Sequence, residues 1–469
     1  MSDKNIAAEL EAKLAYKKTN YYEKAHKDGN EDVIKAAYDY ATGYMAYLDA
    51  AKTEREAVKT SIAMAEAEGY VPYTFGMPLT AGGKYYYNNR GRNLYLFRIG
   101  SEPINEGIRI AAAHIDSPRI DVKQSPLYED SGMAFFKTRY YGGIRKYQWV
   151  ATPLALHGVV VKQDGTTVDV IIGEDPTDPV IYINDLLPHL AHEQSSRPLG
   201  SAIPGEGLNL LLGTRPYPGC ERDAIRFNVL SILNEKYGIT EEDFLSADLS
   251  AVPADKARDV GLDRSLIGSY GHDDRVCAYP SLTGLFASDD SAHTAIVILA
   301  DKEEIGSEGN TGMQCDLMID LMQEITTALG GNFSTVKANS KCLSADVTAC
   351  FDPNFAEVYD RRNATFVNCG VAMSKYTGHG GKVSTNDAPA EYVAWIRKIM
   401  AEAGVVWQAG ELGKTDVGGG GTVAKHIANR NIETVDMGVP VISMHAPCEL
   451  VSKTDVYTAH LAFRAFFKA

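Results

Sequence analysis

The chain has 469 residues, of which 45% are hydrophobic and 23% charged. That balance excludes a disordered or fibrous protein, and the length exceeds what one hydrophobic core usually serves, so a soluble protein of two domains is expected. With 46 Lys and Arg against 61 Asp and Glu the formal net charge is −15, which repels phosphate backbones and, with no basic patch in the sequence, excludes a nucleic-acid partner. The seven cysteines are scattered and never spaced C-x-x-C. They form neither a disulfide framework nor a thiolate zinc knuckle, and the cytoplasm is the expected compartment. No stretch approaches the ~20 apolar residues of a bilayer span and the polar, acidic start carries no apolar leader, so no membrane partner is expected.

Residues 5–68 are rich in Ala, Glu, Lys and Tyr, with Ile34, Tyr38, Ala41, Met45 and Leu48 at helical spacing. The pattern predicts two helices broken near Asp28-Gly29-Asn30. Strands follow over 85–87, 94–97 and 108–113, the last an apolar run of the buried type that ends at His114. Between about 119 and 265 the texture turns to short alternating strands, with 152–161 and 167–172 joined as a hairpin through Asp164-Gly165. Helix and strand alternation returns after about 268, with strands at 294–300, 341–345, 432–437 and 441–444 and helices at 316–329, 390–403 and 455–467. This predicts an α/β sheet covered on both faces and built from both ends of the chain, 1–118 and 266–469, with a β-rich domain inserted at 119–265.

Five places put metal-ligating residue types at the end of a predicted apolar strand or the start of a helix: His114-Ile115-Asp116, His272-Asp273-Asp274, Glu303-Glu304, Asp346 and His445. Open α/β sheets bind ligands at the carboxyl ends of their strands, where residues distant in the chain converge. Singly, each place has a structural explanation: a core histidine for His114 or His445, a helix cap for Asp273-Asp274, solvated charges for Glu303-Glu304, a turn cap for Asp346. Five together at strand ends do not. A metal-bound imidazole gains basicity when a nearby carboxylate takes its other ring proton, and Asp116 is spaced for that. Metal-assisted hydrolysis needs one carboxylate as ligand and another, unligated, to take a proton from water, and Glu303-Glu304 can divide these duties.

Competing motifs fail on spacing. His192-Glu193 has Ser196 where H-E-x-x-H needs its second histidine, and Gly306-Ser307-Glu308-Gly309 follows Ile305 rather than the first glycine of G-x-S-x-G. The run Gly418 to Gly421 lacks the Lys-Ser/Thr pair of a phosphate loop, which leaves a close backbone packing or a substrate-binding turn.

Through Ala113-His114-Ile115-Asp116-Ser117-Pro118-Arg119, Asp301-Lys302-Glu303-Glu304-Ile305-Gly306-Ser307, Ser344-Ala345-Asp346 and Ser443-Met444-His445, the chain resembles the M18 metallo-aminopeptidases, the family of aspartyl aminopeptidase and vacuolar aminopeptidase I. The likeness runs from about residue 79 to the C-terminus. It implies a three-layer, mixed-sheet catalytic domain of the zinc-exopeptidase kind with an inserted β-rich dimerisation domain, acting on peptides with a free N-terminus. It further implies two divalent metals, zinc or alternatively cobalt or manganese, ~3.5–4 Å apart. Asp273 would bridge them, His114 and Asp346 completing one site and Glu304 and His445 the other. Asp274 stands where the family commonly has Asn, so a swap of roles within the aspartate pair stays open. Glu303 would be the general base and Asp116 the partner of His114. Assembly of dimers into a tetrahedral dodecamer would bring His189, in Pro188-His189-Leu190-Ala191, to a neighbouring subunit's active site as oxyanion stabiliser. Lys382 resembles the lysine associated with acidic side-chain selection, whereas the surroundings 384–389 and 416–422 depart from the family pattern, leaving the preferred residue open between acidic and neutral. The alternatives to an aminopeptidase are a related metal-dependent deacylase, a carboxylate glycosidase using Glu303 and Glu304, and a catalytically silent assembly protein. Adjacent residues seldom face across one sugar bond at the required ~5–9.5 Å, which disfavours the glycosidase.

Overall fold

A computed structural model describes residues 10, 11 and 13–469; residues 5–9 of the predicted first helix lie outside the described residues. Among the described residues the N-terminal region includes the helices Tyr21–Asp28, Asp32–Ala50 and Glu54–Ala67, more than the two expected. The break at Gly29 is present, and this residue takes the left-handed conformation (φ 62°) that closes the first helix with an N–H bond to Ala25. The second break arises at Thr53, whose hydroxyl accepts from the Glu56 N–H while the Glu56 side chain reaches back to the Thr53 N–H. This capping box starts a new helix inside a run of otherwise continuous helical periodicity.

Nine strands form one mixed sheet, in the order Val71–Pro72, Lys84–Asn89, Asn93–Arg98, Ala295–Ala300, Arg109–His114, Lys341–Ser344, Glu433–Gly438, Val371–Ser374, Trp407–Ala409. The four middle strands, 295–300, 109–114, 341–344 and 433–438, run parallel. Their side chains alternate between two cores. Ala111, Ala113, Val297, Leu299, Leu343 and Val435 join Tyr44, Leu282, Ile396 and Phe463 on one face. Ile110, Ala112, Ile296, Ile298 and Cys342 join Leu321, Ile325 and Val336 on the other. Burial on both faces is why these strands read as continuous apolar runs.

Two further sheets complete the molecule. Seven strands between Arg119 and Pro253 form the second, and an extra antiparallel pairing of Ala247–Pro253 with Pro153–Val161 closes it on itself. Its core, including Ile120, Phe136, Trp149, Leu156 and Phe244, is a separate cluster. The hairpin 153–161/167–172 lies here, in register from Val161 opposite Thr167. The third sheet has five short strands: Arg258–Val260, Leu266–Ser269, Glu449–Ser452, Pro440–Ile442 and Thr348–Ala349. Sequence reasoning misses most of it, since strands of two to four residues carry no periodicity. It lies beyond the carboxyl ends of the parallel strands, because 348–349 continues the chain past 341–344 and 440–442 continues it past 433–438. No described helix is long and apolar enough to cross a membrane.

Thr53→Ala is expected to lower stability by about 1 kcal/mol, read as a drop in the denaturation midpoint. An unchanged midpoint would remove the capping box from this account.

Candidate metal centre

The four parallel strands and the five-stranded sheet meet at one cavity of about 280 Å³, lined by His114, Asp273, Glu303, Glu304, Asp346 and His445. His114 ends the strand Arg109–His114, Glu303 and Glu304 form the short turn after Ala295–Ala300, and Asp346 follows Lys341–Ser344. His445 follows Pro440–Ile442, and Asp273 lies just beyond Leu266–Ser269 at the start of the helix His272–Phe286. Asp273 (φ −79°, ψ 107°) and Asp274 (φ −118°, ψ 29°) depart from helical geometry, and the peptide bond between them is cis.

Asp273 is the carboxylate between the two histidines. Its Oδ1 lies 3.1 Å from His114 Nε2 and its Oδ2 3.1 Å from His445 Nε2. Asp346 Oδ1 is 3.9 Å from His114 Nε2, and Glu304 Oε1 is 3.4 Å from His445 Nε2. Two triplets result, His114–Asp273–Asp346 and Asp273–Glu304–His445, each with its ligand atoms within 4.8 Å of one another. Asp274 plays another part: it is fully buried, and its Oδ2 accepts the His114 backbone N–H at 3.3 Å.

The donor chemistry limits what this arrangement fits. His114 Nδ1 lies 2.9 Å from the Asp116 carbonyl oxygen and His445 Nδ1 3.0 Å from that of Gly143. A carbonyl oxygen only accepts, so Nδ1 carries the proton on each ring and a neutral imidazole presents a bare lone pair at Nε2. Those lone pairs face carboxylate oxygens, and Asp273 Oδ1 and Glu304 Oε1 are buried with no hydrogen-bond donor. Acceptors converging on acceptors fit a divalent cation. Without one, the surrounding carboxylates favour a second proton on each ring. Burial pulls the His445 imidazole down, but Asp273 and Glu304 outweigh it and raise it to about 10; His114 is likewise raised well above its ordinary value against burial, by Asp116 and Asp273. Burial opposes the charge on Asp273 too, yet the histidines on either side hold its carboxyl well below the usual range. For Glu304 and Asp346 burial dominates and pushes both well above it.

Asp116 organises the turn that carries the glutamates. Its Oδ1 accepts from the Glu303 N–H at 3.1 Å and its Oδ2 from the Glu304 N–H at 3.2 Å and the Tyr141 hydroxyl at 2.8 Å. Its carboxylate Oδ1 is 3.4 Å from His114 Nδ1, farther than its own carbonyl, so the main chain is the nearer partner of that histidine. The Arg119 guanidinium sits 4.2 Å from the Tyr141 ring centroid and donates to Glu54 at 2.9 Å. Glu303 lines the cavity outside both triplets, and burial lifts its carboxyl to about 7 against the pull of His114.

Two of the sequence candidates lie elsewhere. Lys382 lines an adjoining depression that shares Thr377, Leu412 and Gly419 with the cavity of the two triplets. It pairs with Asp387 at 2.9 Å and lies 3.9 Å from the Tyr376 ring centroid. His189 sits on the exposed turn Pro188–Leu190 and does not line the cavity. The glycine run serves close packing as well as the cavity wall: Gly419 has φ 133°, and a Cβ there would fall 2.0 Å from the Gly378 carbonyl oxygen. Sequence reasoning missed Tyr141, Gly143 and Glu449, the last accepting the backbone N–H of both Asp273 and His445.

Imidazoles and carboxylates gathered between the ends of parallel strands and a second small sheet are the residue set of a metallohydrolase. A family model described as aminopeptidase I zinc metalloprotease (M18) matches residues 47–467. A probable M18 family aminopeptidase 1 of Clostridium acetobutylicum is 45% identical, over 95% of this chain and 98% of its own length. The crystal structure of an M18 family aminopeptidase from Thermotoga maritima, 43% identical, superposes with a TM-score of 0.91 over 97% of this chain and 99% of that one. The S. cerevisiae mApe1 dodecamer shares the fold at 20% identity, with a TM-score of 0.75 over 92% of this chain and 96% of its own. The chain belongs to the M18 family of metallo-aminopeptidases.

A chelator is expected to abolish peptide hydrolysis, and zinc added back to raise the thermal midpoint of the metal-free protein, since a ligand that binds only the folded state stabilises it. His445→Ala should shrink that rise. A full zinc-induced rise in His445→Ala would place zinc elsewhere.

Proposed function

We propose that the chain removes the N-terminal residue of peptides using two divalent cations, zinc in the first instance. His114, Asp273 and Asp346 would hold one, and Asp273, Glu304 and His445 the other. The observation that carries this reading is the pair of bare Nε2 atoms converging with carboxylates on one cavity. Cations bound there supply Lewis acidity, polarising the scissile carbonyl and lowering the pKa of water. Glu303, in the cavity but outside both triplets, is the general base: it takes a proton from the attacking water and returns it to the departing amine. Asp116 holds the Glu303-Glu304 turn by its two backbone N–H groups and so aims both carboxylates. The lining includes Asp273, Glu303, Glu304, Asp346 and Asp436 and no Lys or Arg, so no side-chain cation competes for the carboxylates that would hold the metals.

The architecture in this reading is a three-layer catalytic domain from 1–118 and 266–469, with 119–265 inserted for dimerisation. The separate core of the closed seven-stranded sheet supports it, as do Leu186, Leu187 and Leu190, apolar and exposed on that region. Dimers would assemble into a tetrahedral dodecamer, the yeast relative being a dodecamer. His189 would then reach a neighbouring subunit's cavity and donate to the oxyanion.

Glu303→Gln is expected to lower kcat by ~10²–10⁴-fold while metal content is retained, and N-acetylated peptides to resist the wild-type enzyme. Equal cleavage of blocked and free peptides would point to the deacylase instead. Lys382→Ala is expected to reduce kcat/KM for N-terminal Asp relative to Leu, with Asp387 releasing the lysine when an acidic substrate binds. An unchanged ratio would remove Lys382 from substrate selection.

A further inference from the structure

One buried carboxylate, unused in the chemistry above, lies beneath two of the ligands. Glu449 begins the strand Glu449–Ser452 and is 1% exposed. Its Oε1 accepts the His445 N–H at 2.7 Å and its Oε2 the Asp273 N–H at 3.1 Å. Glu449 and Asp273 are 176 residues apart in sequence, and two oxygens on one planar group set the spacing of the two backbones. A buried carboxylate is tolerated only where its oxygens are matched by donors, and here the donors are the main-chain groups of two ligands.

The backbone of His445 needs such a restraint. It holds φ 66°, with Ser443 at φ 60°, the left-handed region that side-chain-bearing residues keep only where their surroundings impose it. The conformation turns the imidazole toward the cavity, where Nδ1 meets the Gly143 carbonyl and Nε2 faces Asp273. The Glu449 bond fixes the N–H side of this turn.

Both residues that Glu449 holds belong to the Asp273–Glu304–His445 triplet, whereas His114–Asp273–Asp346 contains only one of them. We infer that Glu449 is a positioning residue that sets the Asp273–Glu304–His445 position and governs its occupancy more than that of the other. The inference rests on the two-metal reading. The effect is asymmetric because Asp346 and His114 sit on the ends of the central parallel strands, whose ladders hold them independently of Glu449.

The test is calorimetric zinc titration of the metal-free full-length protein, wild type against Glu449→Gln, with the metal-free thermal midpoint recorded for each. Gln keeps the shape but exchanges one acceptor for a donor that confronts a backbone N–H. One zinc position is expected to keep its wild-type affinity and the other to weaken about 10–100-fold, and excess zinc is expected to restore kcat. A carboxylate serving only the fold would lower the midpoint and weaken both positions alike; that outcome, or two unchanged affinities, overturns the inference. Should Glu449→Gln not fold, Glu449→Asp keeps the carboxyl group on a side chain too short to span both groups, and the same asymmetric loss is expected. A wild type that takes up a single zinc would instead sink the two-metal reading itself.

Discussion

Two imidazole rings in this protein have their Nδ1 protons committed to carbonyl oxygens, and the remaining ring nitrogens are left aimed at carboxylates. Lone pairs facing lone pairs inside a buried cavity are tenable only with positive charge between them. The surrounding carboxylates favour such charge, raising both histidines above their ordinary values despite burial. A divalent cation bound there would take the place of such protons and satisfy more oxygens at once, linking metal uptake to proton release. The other properties of the cavity, including the concentration of acidic groups and the raised carboxyls of Glu303 and Glu304, follow from building such a site below the surface.

The fold meets this demand by stacking two sheets end to end. The parallel strands deliver His114, the Glu303-Glu304 turn and Asp346 along one line, since neighbouring parallel strands end side by side. The five-stranded sheet then returns Asp273 and His445 over that line from strands paired with one another through Glu449–Ser452. Asp116 and Glu449 are the fasteners. One carboxylate holds the backbone of the glutamate turn and the other holds the backbones of Asp273 and His445. Both act on main-chain groups, so the orientation of these side chains is set by backbone placement as well as by rotamer choice.

The central strands and the groups at their ends were legible in the sequence because burial on both faces leaves an uninterrupted apolar run, and the run stops where the polar site begins. His114 after 109–114 and Glu303 after 295–300 are instances. Thr53 was harder to see, since a capping box interrupts a helix without interrupting its apolar period. The five-stranded sheet was hidden by the brevity of its strands. Glu449 carried a faint signal in its spacing of four from His445, but a bond from a side chain to distant main chain has no sequence pattern. Which of Asp273 and Asp274 faces the histidines depends on local dihedral angles that residue types do not encode. Lys382 illustrates the converse: the family resemblance implies a contact with substrate, while its pairing with Asp387 follows from the loop that carries both.

The central claim is most directly tested by anomalous diffraction at the zinc absorption edge from crystals of the zinc-loaded protein. Two peaks in each subunit are predicted, both adjoining Asp273, one beside His114 and Asp346 and the other beside His445 and Glu304. Peaks remote from Asp273, or none in this cavity, would contradict the account.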